Sequence, residues 1–272
     1  MAPDRATARH HPPIGGEDPT ERASGEEAVG EGASPRPDPT EGFKRAAAEV
    51  AAAMVEDGMR VGLGTGSTVA HLLPALAARG LRGLRCAATS PATERAARDL
   101  GLIVEDLDAL GELDIAIDGA DQVAPSGWLV KGGGAAQTRE KIVAAAARRF
   151  VVIVSIEKAV AALHPPVPLE LLRFGLTRTL AEVGGEARLR PAGSPPGETR
   201  TPPGQAEALA SPDGNLIADY FGPIGDPAAL AARLSITPGV VEHGLFAPET
   251  VSCVLVAGAR GVERRAGAKR DP

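Results

Sequence analysis

Residues 113–117, Leu-Asp-Ile-Ala-Ile, alternate apolar with polar or small positions and end on β-branched residues, which predicts a strand. The same reading predicts short apolar strands at 59–63, 84–88 and 150–154. Between them lie helical patterns: an alanine-rich stretch at 43–55, then 69–79, 91–100 with Pro91 at its start, and 137–149. This alternation of strand and helix predicts an α/β fold, a mainly parallel sheet with helices on both faces. Past about residue 164 the pattern changes. Strands at 167–172, 187–189 and 216–221 and helices at 177–183 and 227–234 predict a smaller α+β domain. Residues 250–257 then read as a strand returning to the first sheet, and the apolar positions of 238–246 as a core turn and strand. The expected division is an α/β catalytic domain at 43–163 and 244–262, and the small domain at 164–243.

Composition sets the edges of this picture. Residues 1–42 are rich in Pro, Gly, Glu, Asp, Ser and Thr, with few large apolar residues, and are expected to be disordered. They lack the apolar core of a signal peptide, and their acidic residues disfavour a transit peptide. The Pro/Gly-rich residues 191–210 read as an inserted flexible surface loop. The basic residues from Gly261 onward read as a frayed tail, with 263–272 outside the folded domains. Aromatic residues are only 3% of the 272, so the core must come from Ala, Val, Leu and Ile. A formal net charge of −6 argues against a general nucleic-acid binder, and no apolar run approaches the length of a membrane span. Cys86 and Cys253 form neither a CxxC nor a disulfide framework and read as buried thiols, which suits a reducing cytoplasm.

Chemistry concentrates in three polar segments. Asp118-Gly119-Ala120-Asp121 sits at the C-terminal end of the 113–117 strand, where open α/β sheets bind ligands. Lys131-Gly132-Gly133-Gly134 leads into the 137–149 helix, whose N-terminus offers free N–H groups to an anion. Glu140 lies in the first turns of that helix, facing back toward the loop. Asp-Gly is also a common turn pair, and charges near a helix start often only compensate its dipole. The coincidence of two aspartates, a lysine, a glycine run and a glutamate in one short stretch favours a site that moves protons on a small anion. Upstream, Gly64-Thr65-Gly66-Ser67-Thr68 joins strand to helix and forms a candidate phosphate cradle. It is neither a P-loop nor a dinucleotide fingerprint, because no Gly-Lys-Ser/Thr closes it and its glycines are misplaced. The five histidines are scattered, so no metal site is expected.

Three blocks together resemble ribose-5-phosphate isomerase of type A: Val61 to Thr68 (VGLGTGST), Ile117 to Asp121 (IDGAD) and Lys131 to Lys141 (KGGGAAQTREK). Weaker matches are Ser155 to Lys158, Asp213-Gly214-Asn215 and Pro238 to Phe246, in the family's order. The resemblance implies an aldose–ketose isomerase of the non-oxidative pentose phosphate pathway acting on ribose 5-phosphate without metal or cofactor, and a homo-oligomer, most simply a homodimer. It implies that Thr65, Gly66, Ser67 and Thr68 contact the sugar phosphate, with Asp118, Gly119, Ala120 and Asp121 as a second binding segment and Lys131, Gly132, Gly133 and Gly134 as a third. Glu140 corresponds to the proton acceptor and Lys158 to a further substrate-binding lysine, and Lys44 is expected to reach the phosphate. Chemical reasoning adds Lys131 as stabiliser of the enediolate, Asp118 as acid/base for ring opening, and Asp121 as an orienter of Lys131 or of a substrate hydroxyl. Gln122 departs from the family's frequent acidic residue and removes a charge expected beside the site. Two other readings stay open here: a non-catalytic sugar-phosphate sensor, and a CoA-transferase-like enzyme of similar fold. Assays against ribose 5-phosphate and CoA substrates separate them.

Overall fold

A computed structural model describes residues 38–197 and 207–269. The predicted tail at 1–37 and the middle of the 191–210 insertion lie outside the described residues. The elements run, in order, α1 (Pro39–Ala52), β1 (Arg60–Leu63), α2 (Ser67–Ala78), β2 (Arg85–Ala88), α3 (Pro91–Asp99), β3 (Ile103–Val104), α4 (Leu107–Leu110), β4 (Leu113–Asp118), β5 (Gln122–Val123) and β6 (Leu129–Val130). They continue with α5 (Gln137–Ala146), β7 (Ala147–Ser155), β8 (Val167–Leu171), α6 (Leu176–Glu182), β9 (Ala187–Leu189), β10 (Leu216–Tyr220), α7 (Pro227–Ser235), β11 (Val240–His243), β12 (Leu245–Phe246), β13 (Cys253–Gly258) and β14 (Gly261–Ala266). Among the described residues no helix is long and apolar enough to cross a membrane.

A seven-stranded sheet, in the order β14-β13-β7-β4-β1-β2-β3, organises the molecule. All its neighbours are parallel except the β13–β14 pair. Alternation splits its side chains between two cores. Val151, Ile153, Leu255 and Ala257 meet Ala48, Ala51, Leu72 and Leu76 of α1 and α2 on one face. Phe150, Val152, Val154, Val254 and Val256 meet Val143, Ala144 and Phe246 on the other. The chain order reverses between β1 and β4, so the turns after these strands diverge and leave a crevice at their carboxyl ends. A separate antiparallel sheet, β11-β8-β10-β9, packs its Leu169, Ala218 and Tyr220 with Leu230 and Leu234 of α7. A third, small sheet joins β12, β6 and β5.

Gly62 sets how closely α5 lies on the main sheet. A Cβ there would come within 2.4 Å of Val143 Cγ1 and 2.9 Å of Ala116 Cβ. The missing methyl lets the helix that carries Glu140 rest directly on β1.

The structure corrects the sequence reading in several places. Residues 147–149 leave the predicted helix for β7, where Ala147 and Arg149 pair with Leu113 and Ile115. Ladder hydrogen bonds there outweigh the helix preference of Ala and Arg. The expected frayed tail begins with a strand, β14, paired along its whole length with β13. Its charged residues suit an exposed edge and hide the strand pattern. Residues 39–42, expected to be disordered, form the first turn of α1, where the Asp38 side chain accepts a hydrogen bond from Thr40 N at 2.9 Å. The base of the inserted loop is paired rather than free. Ala192 N donates to Glu207 O at 2.9 Å, and Leu209 N to Arg190 O at 2.7 Å.

Candidate active site

The crevice at the chain reversal gathers nearly every residue singled out from sequence. The turn after β1 and the segment after β4 face each other across a cavity of about 100 Å³. Its lining is Thr65 to Thr68, Gly119 to Asp121, Lys131 to Gly134, Glu140 and Lys158. A larger cleft of about 730 Å³ runs along Thr138, Arg139 and Ile142 of α5 but holds none of the predicted residues. The smaller cavity is the chemical one, because there the charged residues Asp121, Lys131, Glu140 and Lys158 converge on the start of α2.

Lys131 is the hub. Its ammonium, 2% exposed, lies 2.9 Å from Asp118 Oδ2 and 3.2 Å from Glu140 Oε2, and it donates to Gly119 O. The Phe246 ring sits 5.4 Å from the same nitrogen and closes its apolar side. Backbone bonds pin the residue on both flanks: Lys131 N donates to Gly244 O and Asp121 N to Val130 O, each at 2.8 Å. Burial disfavours the ammonium, but the Asp118 and Glu140 carboxylates outweigh it and hold the lysine above its ordinary range.

The two carboxylates differ in their surroundings. Asp118 Oδ1 accepts from Thr65 N at 3.0 Å and Gly119 N at 2.7 Å, and Oδ2 faces the lysine. Gly64 makes this possible, since a Cβ there would fall 1.9 Å from Asp118 Oδ1. Burial raises the Asp118 carboxyl, opposed by Lys131 and the two N–H donors. Glu140 Oε2 touches Lys131 without hydrogen-bond geometry and has no other protein partner. Burial first, then the Asp118 charge, pushes Glu140 up to about 8, against the pull of Lys131. Two buried carboxylates share one cation, so a single excess charge invites one proton onto the pair, and both carboxyls are raised.

Other predicted residues take unexpected places. Asp118 lies behind Lys131 and is not part of the cavity wall. Asp121 does not orient Lys131 through a bond; its Oδ2 accepts from Gly133 N at 2.8 Å and so holds the glycine loop. Lys44 is not in the wall either. Its ammonium pairs with Glu41 Oε1 at 2.6 Å, and Glu41 also meets His71 at 2.9 Å. Gln122, expected beside the site, turns away to bracket His164, donating to its carbonyl at 2.7 Å and accepting from its N–H at 2.8 Å. The amide replaces a charge with a neutral clamp.

Sequence reading missed the support beneath the phosphate cradle. The Thr65 hydroxyl meets Thr89 Oγ1 at 2.7 Å, and Thr93 Oγ1 donates to Gly64 O at 2.9 Å. The signal was present in Ser90-Pro91-Ala92-Thr93, a helix-start pattern in which Ser90 Oγ accepts from Thr93 N. Arg190 was also missed. It is fully buried and reaches the glycine loop from β9's end.

The model of the family described as ribose 5-phosphate isomerase A (phosphoriboisomerase A) matches residues 85–261. The chain belongs to this family. Ribose-5-phosphate isomerase A of Caulobacter vibrioides is 46% identical over 208 residues, covering 75% of this chain and 88% of that one. The Roseiflexus castenholzii protein of the same name is 44% identical over 232 residues, covering 81% and 93%. Among solved structures, ribose 5-phosphate isomerase A of Neisseria gonorrhoeae superposes with a TM-score of 0.74 at 26% identity, covering 84% of this chain and 97% of that one. A D-ribose-5-phosphate isomerase in complex with phospho-erythronic acid superposes equally well, at a TM-score of 0.74 and 33% identity, covering 84% and 99%. The ribose 5-phosphate isomerase A fold therefore spans both the main sheet and the antiparallel sheet of this chain.

Proposed function

We propose that this chain interconverts D-ribose 5-phosphate and D-ribulose 5-phosphate through an enediolate, with Glu140 as the proton carrier. The observation that carries the residue roles is the buried ammonium of Lys131 between Asp118 and Glu140, where Lys131 and Glu140 line the cavity and Asp118 does not. The turn Thr65 to Thr68 and the start of α2 hold the phosphate, assisted by Lys158. The ionised Glu140 takes the proton from C2 of the open-chain aldose, and the C1 carbonyl becomes an oxyanion. Lys131 and the N–H groups of the glycine loop stabilise that charge. The O2 proton passes to O1, Glu140 returns its proton to C1, and the ketose forms with nothing gained or lost. One carboxylate serves both carbons because they are adjacent. Asp118 acts through Lys131: any proton it exchanges during ring opening is relayed by the ammonium in front of it. Asp121 keeps the glycine loop in place.

The same reading assigns the protein to the non-oxidative pentose phosphate pathway, in the cytoplasm, as a homodimer, with residues 43–163 and 244–262 as the catalytic domain and 164–243 as the smaller one. Both cysteines are buried and neither enters a disulfide, which fits a reducing compartment. The first test is ribulose 5-phosphate formation from ribose 5-phosphate by the wild type and Glu140→Gln. Activity in the wild type and its loss by several orders of magnitude in the folded variant are expected. An active variant would move the proton to another group, and an inactive wild type would remove the isomerase.

A further inference from the structure

Three glycines in a row give a loop no side chain by which to hold its shape, yet Gly132, Gly133 and Gly134 line the cavity with their backbone. The loop's own turn supplies one bond, from Ala135 N to Gly132 O at 3.0 Å, and side chains grip the loop from two further sides. Asp121 Oδ2 accepts from Gly133 N at 2.8 Å. On the opposite side, Arg190 Nη1 donates to Gly132 O at 3.3 Å and to Gly133 O at 3.1 Å. Within a trans peptide the C=O and the next N–H point in opposite directions. Fixing Gly132 O toward Arg190 therefore aims Gly133 N–H at Asp121, as observed. Fixing Gly133 O toward Arg190 aims Gly134 N–H away from the arginine, and Gly134 lines the cavity.

Arg190 is itself held by a built partner. Its Nε donates to Asp219 Oδ2 at 2.9 Å and its Nη2 to Asp219 Oδ1 at 2.5 Å, and both side chains are at most 1% exposed. Gly197 N adds a third donor to Asp219 at 3.0 Å. A buried ion pair is a costly way to join two strands, which apolar side chains achieve at least as well. What apolar side chains lack is a fork that binds a carboxylate with one edge and two carbonyls with the other.

We propose that Arg190, fixed by Asp219, is a positioning residue of the isomerase, which presents the Gly134 N–H to the substrate by holding the carbonyls of the glycine loop. The proposal rests on the isomerase reading above. Its test compares wild type with Arg190→Lys, which keeps the charge and loses the fork, and with the double variant Arg190→Met/Asp219→Leu, which leaves no unpaired charge. Each is assayed for kcat and KM with ribose 5-phosphate, per mole of folded protein judged by circular dichroism and thermal melting. The loss of an oriented N–H donor predicts a fall in kcat of about 100-fold with KM changed only a few-fold. Arg190→Lys is expected to keep the fold but not kcat. Folded variants with kcat within about twofold of wild type would overturn the proposal, leaving the pair a purely structural tie. A loss of activity that only follows the loss of folded protein in both variants would overturn it as well. An inactive wild type would remove the isomerase reading itself and is thereby distinguished from either result.

Discussion

Glu140, Asp118 and Lys131 put two carboxylates against one ammonium in a deeply buried cluster. The pH behaviour of catalysis should report that imbalance. The base must be ionised to take a proton, and burial with the Asp118 charge pushes Glu140 up to about 8. The acid limb of kcat/KM should therefore rise tenfold per pH unit and level off near pH 8, the apparent value belonging to the coupled pair. That lies well above the second ionisation of a sugar phosphate, near about 6, so the two are separable. A limb at ordinary carboxylate values would show that burial and the Asp118 charge do not raise the catalytic base. A second residue tests burial without catalysis. Gln137 is completely buried, packs under Gly132, and neither atom of its amide has a protein partner. Gln137→Leu should raise stability by about 1–3 kcal/mol, read as a higher urea midpoint at unchanged slope. A lower midpoint would mean that the amide is solvated in place. Most of the site was legible residue by residue because the chemistry needs rare combinations: carboxylates, lysine and glycines at strand and helix ends. Lys44 and Asp118 were placed less well, because no local pattern says that Glu41 intercepts the one or that Lys131 stands in front of the other.

Between elements, the site depends on how α5 meets β1. Long periodic elements such as α1 and β4 were readable, since burial of one face imposes the pattern. The two-residue strands β3, β5 and β6 were not, because their pairing comes from distant backbone rather than from local alternation. The α5–β1 contact is of this distant kind, 81 residues apart in sequence between Gly62 and Val143, and no periodicity signals it. Gly62→Ala would drive a methyl into Val143 and Ala116 and displace the helix that carries Glu140. A cost of about 1–3 kcal/mol is expected, together with a fall in kcat. Adding Val143→Ala makes room for the methyl and should recover part of both losses. The measurement is a double-mutant cycle in urea midpoint and kcat. Strict additivity would show that the two residues do not press on each other and that the helix position is set elsewhere.

At the scale of the whole molecule, catalysis and folding pull the same carboxyl in opposite directions. The unfolded chain holds Glu140 near its ordinary value of 4.5, and the folded chain pushes it up to about 8. Between these values the native state keeps a proton that the unfolded state has released. Its stability must then fall as pH rises through that window. Lys131 does not contribute there: its folded value lies above 10.5, so its stabilisation is fully present below that pH. The side-chain amide of the Glu140→Gln variant has no such proton to lose. The melting temperature of that variant should therefore gain on wild type steadily from about pH 5 to about pH 8 and hold its margin above that, with the enzyme inactive throughout. A margin independent of pH would mean that the carboxyl titrates alike in both states, and that burial beside Asp118 does not hold its proton. A widening margin would show that this fold keeps at its centre a carboxyl whose ionisation destabilises it, the same ionisation that the proposed proton transfer requires.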